Sequence, residues 1–181
     1  MPSKKQIAIY ALCTVLITAL TFVLYAIIVV DKADILSAAS YAGYEGSNVF
    51  EALSVNGGIE MFGIKMPVIL IYLIEVCFAW TLEFFVGAPN SRKLAYKRLD
   101  PSKVHPYVME TMVVCCTVLI MCPLMTFIAS FMYYPWAHMS FSISFWFAKF
   151  FNLLCHNLPF AFFGQLFFIQ PIIRKIFSKK D

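Results

Sequence analysis

Four long apolar stretches, separated by shorter polar ones, dominate the chain. They cover residues 6–30, 66–88, 107–131 and 141–170. Each stretch is long enough to cross a lipid bilayer as an α-helix, which takes about 20 mostly apolar residues. The pattern therefore predicts an all-α membrane protein with four transmembrane helices.

The polar stretch 31–65, between the first two predicted spans, carries five acidic and two basic residues. Asn48 followed three residues later by Glu51 is typical of a helix N-terminus, and Gly57 is typical of a helix end. We interpret the stretch either as a loop with a short helix on the membrane surface or as a solvated loop. The second span starts after this stretch or, alternatively, near Ile59.

The composition excludes a separate soluble domain, and the distribution of charge predicts how the chain is oriented in the membrane. Hydrophobic residues make up 61% of the 181 residues and charged residues 13%, which leaves no room for a separate soluble domain. Eleven of the fourteen Lys and Arg residues lie in the N-terminal segment, the central loop 89–104 and the C-terminal tail. The positive-inside rule then predicts that both termini and the central loop are cytoplasmic. The same distribution explains the net charge of +4 without a nucleic-acid partner.

Two motifs that recur in the same order indicate an internal duplication. P-x-x-R-K-[LI]-x-x-K occurs at 89–97 and 171–179, an offset of 82, and CTVLI occurs at 13–17 and 116–120, an offset of 103. Each unit would be a helical hairpin that starts and ends on the same side. Two such units are parallel repeats, related by a pseudo-two-fold axis along the membrane normal. The predicted units are residues 1–97 and 98–181.

The segments GAPNSRKLAYK (87–97), NLPFAFFGQLF (157–167) and PIIR (171–174), with the basic start MPSKK, also carry a family resemblance. They resemble a family of small bacterial membrane proteins built from one or two copies of a two-helix domain of unknown function. The resemblance covers nearly the whole chain apart from 31–65. It implies a multi-pass protein of the bacterial plasma membrane with two copies of the domain, and it implies no activity.

Polar residues inside the predicted spans define the candidate site, because polar groups at membrane depth must face protein or water. The candidate substrate- or ion-binding residues are Glu75, Lys149, Asn152, His156, Asn157 and Gln165. Lys149, Asn152 and His156 follow each other at i, i+3 and i+7, so we expect them on one face of the fourth span.

The repeat predicts which of these residues lie at the same depth. The offset of 82 matches Asn157 to Glu75 and Gln165 to Glu83. We therefore expect Glu75 to contact His156 or Asn157 inside the bundle. One interpretation is a protonatable site or a pathway for a small ion or solute. The other is interhelical hydrogen bonding that only fixes the helix register.

Charged residues nearer the ends of the spans have simpler interpretations. We expect Glu83 and Glu110 to pair with Arg or Lys residues of the central loop. Lys149 either belongs to the polar centre or extends to the outer surface.

The chain carries no catalytic, phosphate-binding or zinc-protease motif, so we expect no enzyme activity and no cofactor. Cys155 and His156 are adjacent and point to different helix faces, so we expect no metal site. The predicted function is a transporter-like or channel-like protein for a small ion or solute, embedded in the lipid bilayer as a homo-oligomer. The alternative is a non-transporting accessory, stress or regulatory membrane subunit that binds a protein partner.

Overall fold

The structure, a computed structural model, describes residues 4–178, with side chains for residues 9–176. This part of the chain is all-α apart from one two-stranded sheet. Four of its helices are long and apolar enough to cross a membrane: Ile9–Val30, Val68–Arg98, Pro106–Met132 and Ile143–Ile176. The predicted class, a multi-pass α-helical membrane protein with four spans, is confirmed at this level.

The first span consists of α1 (Lys4–Tyr25) and a π-helical turn (Ala26–Val30). The hydroxyls of Thr14, Thr18 and Thr21 each donate a hydrogen bond to the backbone carbonyl four residues earlier. Such bonds satisfy the hydroxyl groups within the helix itself. Because of them, the span carries polar side chains without leaving donors bare in hydrocarbon.

The stretch after the first span is folded. It contains α2 (Lys32–Tyr41), α3 (Val49–Asn56) and an antiparallel hairpin of β1 (Ile59–Met61) and β2 (Ile64–Met66). The sequence pattern gave no sign of α2 or of the hairpin, because both are short and lack a clear period.

Helix α3 has the ends that its capping residues predict. The Asn48 side-chain oxygen accepts from the backbone N–H of Phe50 at 3.1 Å, and the Asn48 amide donates to Glu51 at 3.1 Å. Gly57 ends the helix in the left-handed conformation, with φ of 76°. The buried side of the helix, which includes Leu53, packs against the C-terminal part of the first span, including Ile27. This side of the helix is therefore covered by protein, whereas Phe50 and Val55 of the same helix are exposed.

The second span begins at Val68, and the alternative start near Ile59 is wrong, because the hairpin occupies that segment. The span consists of α4 (Val68–Leu82), a π-helical turn (Glu83–Gly87) and α5 (Ala88–Arg98). The central loop predicted from residue 89 is thus helical as far as Arg98. Pro89 is the second residue of α5, which directly follows the π-helical turn.

The third span is α6 (Pro106–Met132). The fourth span consists of α7 (Ile143–Phe163), a π-helical turn (Gly164–Ile169) and α8 (Gln170–Ser178). Pro123 and Pro159 lie inside α6 and α7 without ending them.

The four spans form a ring in chain order. α1 packs against α4 and α8, and α6 packs against α5 and α7. The start of α1, the turn 99–105 and α8 therefore lie together at what we call the basic end. The loop end carries residues 31–67 and the turn 133–142. This ring leaves a central space, which the site occupies.

The β-hairpin is attached to the far side of the ring at the loop end. The backbone N–H of Phe62 donates to the Met132 carbonyl at 2.8 Å. The His138 ring nitrogen Nε2 lies 3.1 Å from a carboxylate oxygen of Glu60. The polar stretch after the first span is thereby joined to the turn between the third and fourth spans.

Candidate functional site

A cavity of about 2050 Å³ lies between the four spans. It extends from residues of the loop end, such as Asp31 and Glu60, to residues of the basic end, such as Arg92 and Arg174. All four spans contribute to its walls, and most of the lining side chains are apolar. Polar side chains occur at several levels along it.

At the loop end the lining is mainly acidic. Asp31, Asp34 and Glu60 line the cavity there together with Lys65. Burial raises the pKa of the Asp31 carboxyl, the positive charge of Lys149 opposes this shift, and the charge of Asp34 adds to it. These groups are close enough for Asp31, Asp34 and Lys149 to act on each other electrostatically.

Glu75 is the first polar group further in, and its partner is a tyrosine. The Tyr133 hydroxyl donates to the Glu75 carboxylate at 2.7 Å. Burial and the carboxylates of Glu75 and Asp31 raise the pKa of the Tyr133 phenol, so it stays protonated and remains a donor. The ammonium of Lys149 donates to the backbone carbonyl of the same Tyr133. Tyr133 therefore joins the second span to the fourth.

Amides and hydroxyls line the middle of the cavity. The Asn157 amide donates to the Thr126 hydroxyl at 3.3 Å, between the fourth and third spans. The Gln165 amide donates to the Thr18 hydroxyl at 2.7 Å, between the fourth and first spans. These are neutral, bonded groups, of the kind that hold transmembrane helices in register.

A second set of bonds continues toward the basic end. The Gln170 side-chain amide donates to the side-chain oxygen of Gln165 at 3.3 Å. The Tyr10 hydroxyl donates to the side-chain oxygen of Gln170 at 2.7 Å. Gln165 and Gln170 are both buried. The first and fourth spans are thus connected by consecutive hydrogen bonds over about two helical turns.

Paired charges line the cavity at the basic end. Arg174 lies 3.3 Å from the Glu110 carboxylate and stacks over the Tyr107 ring at 4.9 Å. The partner of Glu110 is therefore an arginine of the C-terminal helix. The prediction that Glu110 pairs with a basic residue of the central loop is wrong. Glu83 also lines the cavity, and the charge of Arg92 acts on it.

Two of the predicted site residues lie away from the cavity. His156 and Asn152 are both exposed on the outside of the bundle, and the His156 ring bonds to the Asn152 backbone carbonyl at 2.8 Å. The expected contact of Glu75 with His156 or Asn157 is wrong, since Glu75 bonds to Tyr133. The second and fourth spans are diagonal in the ring, so the cavity separates them.

Helix geometry explains which residues of the fourth span face the cavity. From its start as far as residue 165, the lining residues are Lys149, Leu153, Asn157, Ala161 and Gln165, each four positions after the previous one. The prediction used the i+3 and i+7 positions, Asn152 and His156, which fall one residue before this row. Lys149, Asn157 and Gln165 are thus brought to the site, and Lys149 bonds inside the protein instead of extending freely outward.

The site also contains residues that the sequence analysis did not select. Tyr133 lies just past the third predicted span, and Thr18 and Thr126 look like ordinary members of apolar stretches. The predicted repeat does not single out these three residues, because it matches the first span to the third and the second to the fourth.

Comparisons with protein-family models, with curated proteins and with solved structures find no match to this chain. The chemistry of the site must therefore be read from its own geometry. The cavity can admit water or a solute, and it offers carboxylates, amides and hydroxyls in sequence along its length. Within the described residues, His, Cys, Asp and Glu form no group of three or more that could hold a metal ion.

Proposed function

We propose that this chain is a transporter-like or channel-like protein of the bacterial plasma membrane, which moves a small ion or solute through the cavity between its four spans. The observation that carries the proposal is the cavity itself, which extends along the ring from the loop end to the basic end. A bundle that served only as a membrane anchor would gain stability by filling this space with apolar side chains.

The polar centre of the proposed pathway differs from the one expected from sequence. It consists of Glu75 with Tyr133 near the loop end, then Asn157 with Thr126, then Gln165 with Thr18. Intramembrane ionisable residues that face a cavity are typical of transport pathways. Glu75 is the member of this set that can change its charge, so we assign it the central role.

We propose that the basic end is cytoplasmic and the loop end lies outside. Helix α5, the turn 99–105 and the tail together carry nine of the fourteen Lys and Arg residues that the positive-inside rule counts. The start of α1 and helix α8 lie at this same end. Both chain termini are then cytoplasmic.

We also propose that the two hairpins are parallel repeats. The π-helical turn Glu83–Gly87 of the second span, moved by the offset of 82, falls on 165–169, within the π-helical turn Gly164–Ile169 of the fourth. The helices that follow, α5 and α8, begin 82 positions apart, at Ala88 and Gln170. Corresponding irregularities in two helices support a common origin more strongly than matching apolar runs do.

Corresponding contacts support the same proposal. Gln165 of the fourth span bonds to Thr18 of the first. The positions that match these two by the offsets are Glu83 and Met121. Both of their side chains lie against Gly87, within 3 Å of where a Cβ atom would be placed on that glycine. The interfaces between the fourth and first spans and between the second and third spans therefore use equivalent positions.

Two further predictions concern a homo-oligomer and an accessory role. The cavity lies within one chain, so the proposed pathway does not require a second copy. The accessory role, binding of a protein partner, needs no pathway and predicts that no solute crosses the protein. Transport and accessory roles are therefore separated by a flux measurement. We assign no catalytic role to any residue.

The test is reconstitution of the full chain into liposomes that contain a pH-sensitive dye. We expect wild-type protein to carry a flux of protons, or of a cation exchanged for protons, and Glu75→Gln to abolish it while leaving the protein folded. Glu45→Gln, which removes an exposed carboxylate of the polar stretch, is the matched control and should leave the flux unchanged. Equal fluxes through empty and protein-containing liposomes for every solute tested would contradict the proposal.

A further inference from the structure

We propose that the cavity binds hydrophobic organic cations, with Glu75 as the principal counter-charge. The inference rests on the proposed transport function and names its substrate class. Three features of the molecule support it: the charges on the cavity wall, the partners of Glu75 and Glu60, and the size and composition of the cavity.

The cavity wall carries more negative than positive charge, and the excess is at the loop end. Among the described residues, six carboxylates and four basic side chains line it. At the basic end, Glu110 pairs with Arg174, and Arg92 acts on Glu83. The loop end therefore has four carboxylates, from Asp31, Asp34, Glu60 and Glu75, against the two lysines Lys65 and Lys149. A cation entering from this end is attracted and an anion is repelled.

Glu75 has no basic partner in the part of the chain that the structure describes. Its hydrogen bond comes from the neutral Tyr133 hydroxyl. The nearby ammonium of Lys149 is instead directed to the Tyr133 backbone carbonyl and is surrounded by the charges of Asp31, Asp34 and Glu60. A carboxylate at membrane depth needs either a proton or a positive charge. A bound cation supplies that charge.

Glu60 gives a second, independent indication. One of its carboxylate oxygens lies 3.1 Å from His138, and the other is buried with no hydrogen-bond partner among the described residues. Buried carboxylate oxygens are usually paired. Because Glu60 lines the cavity, this unpaired oxygen adds uncompensated negative charge to the cavity wall, which favours a positively charged ligand inside.

The size and walls of the cavity favour an organic cation over an inorganic one. Its volume of about 2050 Å³ exceeds the roughly 300–1,000 Å³ of sites that hold drug-sized ligands. A bare metal ion or alkali ion needs a close shell of oxygen atoms, which so wide a space does not provide. The walls are mostly apolar and include the aromatic rings of Phe22, Phe78, Trp80, Phe84 and Tyr96. Apolar surface and aromatic faces bind large, weakly hydrated cations.

The test uses two probe ions of the same shape and opposite charge, tetraphenylphosphonium and tetraphenylborate. Binding of each to the purified full chain is measured by equilibrium dialysis against empty detergent micelles. We expect the cation to bind at least about tenfold more tightly than the anion. Equal binding of the two ions would show that only the apolar walls matter and would overturn the proposal.

Variants locate the charge that is responsible. Glu75→Gln should weaken tetraphenylphosphonium binding at least about tenfold, Glu75→Asp should retain most of it, and the exposed control Glu45→Gln should not change it. Gel filtration establishes that each variant is folded. Unchanged binding to folded Glu75→Gln would overturn the assignment. If Glu75→Gln does not fold, the Glu75→Asp variant and the comparison of the two ions on wild-type protein still test the proposal.

Failure of this inference can be told from failure of the proposed function. A wild-type flux of protons or small ions without preference for the phosphonium ion would overturn the substrate class and leave transport standing. Preferential binding of the phosphonium ion without any flux would overturn transport and support the cation site.

Discussion

At the scale of single residues, most polar groups of the spans are satisfied by hydrogen bonds within a helix or between neighbouring helices. Thr14, Thr18 and Thr21 bond to their own helix, and Gln165 and Gln170 bond to each other and to the first span. Glu75 differs, because it is ionisable and has a neutral partner. This contrast distinguishes structural polar residues from a candidate functional one more clearly than the residue types alone do.

Asp31 provides a test of the electrostatics at the loop end. Burial raises the pKa of its carboxyl above the ordinary value of 3.8. Its contribution to stability is therefore full below that ordinary value and is lost as the pH rises through the raised value. Asp31→Asn removes this loss, so we expect the variant to melt at a higher temperature than wild type at neutral pH.

The size of the effect and its control follow from the same linkage. We expect a difference on the order of a few degrees at pH 7 that disappears near pH 4. Thermal melting in detergent across this pH range measures it. The exposed Asp34→Asn is the matched control and should show a smaller change. A variant that melts below wild type at pH 7 would indicate that the attraction between Asp31 and Lys149 outweighs burial.

At the scale of secondary structure, long apolar stretches predict that the spans exist but not where they end. Arg92, Lys97 and Arg98 make residues 89–98 look like a loop, yet these residues continue the second span as α5. A basic helix that projects from the membrane has the composition of a loop. The ends of α3 were predictable because capping by Asn48 and Gly57 is a local signal. The hairpin was not predictable, because each strand has only three residues and the turn between them packs against Met132 and Trp136, far away in sequence.

Two neighbouring glycines test the hairpin. Gly57 and Gly58 both have positive φ, 76° and 111°. A Cβ atom on Gly57 meets nothing within 4 Å, whereas one on Gly58 would lie 2.0 Å from the Met66 backbone oxygen. We expect Gly57→Ala to cost about 1–2 kcal/mol, the cost of a left-handed backbone. Gly58→Ala should cost clearly more, since the β2 backbone must move.

Melting temperatures of the two variants in detergent, with limited proteolysis of the segment 57–67, give the comparison. Gly58→Ala should melt at the lower temperature and be cleaved faster in this segment. Equal melting temperatures would mean that the hairpin contributes little to the stability of the loop end.

At the scale of the whole molecule, the candidate site was predictable in part. Lys149, Asn157 and Gln165 line the cavity as expected, because polar residues inside spans must face protein or water. The pairing of Glu75 was not predictable. It depends on how the spans are arranged around the ring, and the predicted repeat specifies depth along the membrane but not the order of neighbours. A ring in chain order places the spans that the predicted repeat would match on a diagonal, which separates Glu75 from Asn157.

The orientation of the ring in the membrane is the last prediction, and it rests on charge alone. Ser102, in the turn 99–105 of the basic end, and Ser47, between α2 and α3 at the loop end, are both exposed. Each can be replaced by cysteine in a variant that lacks the six native cysteines, all of which are free thiols. The basic end should be cytoplasmic because Lys and Arg resist transfer across the membrane during insertion. In intact cells an impermeant thiol reagent should therefore label Ser47→Cys and leave Ser102→Cys unlabelled. After the membrane is permeabilised both should react, which shows that protection came from the membrane and not from local structure.

Labelling of Ser102→Cys in intact cells, with Ser47→Cys protected, would reverse the orientation. The acidic loop end, with Asp31, Asp34 and Glu60, would then face the cytoplasm, and cations would enter the cavity from inside the cell.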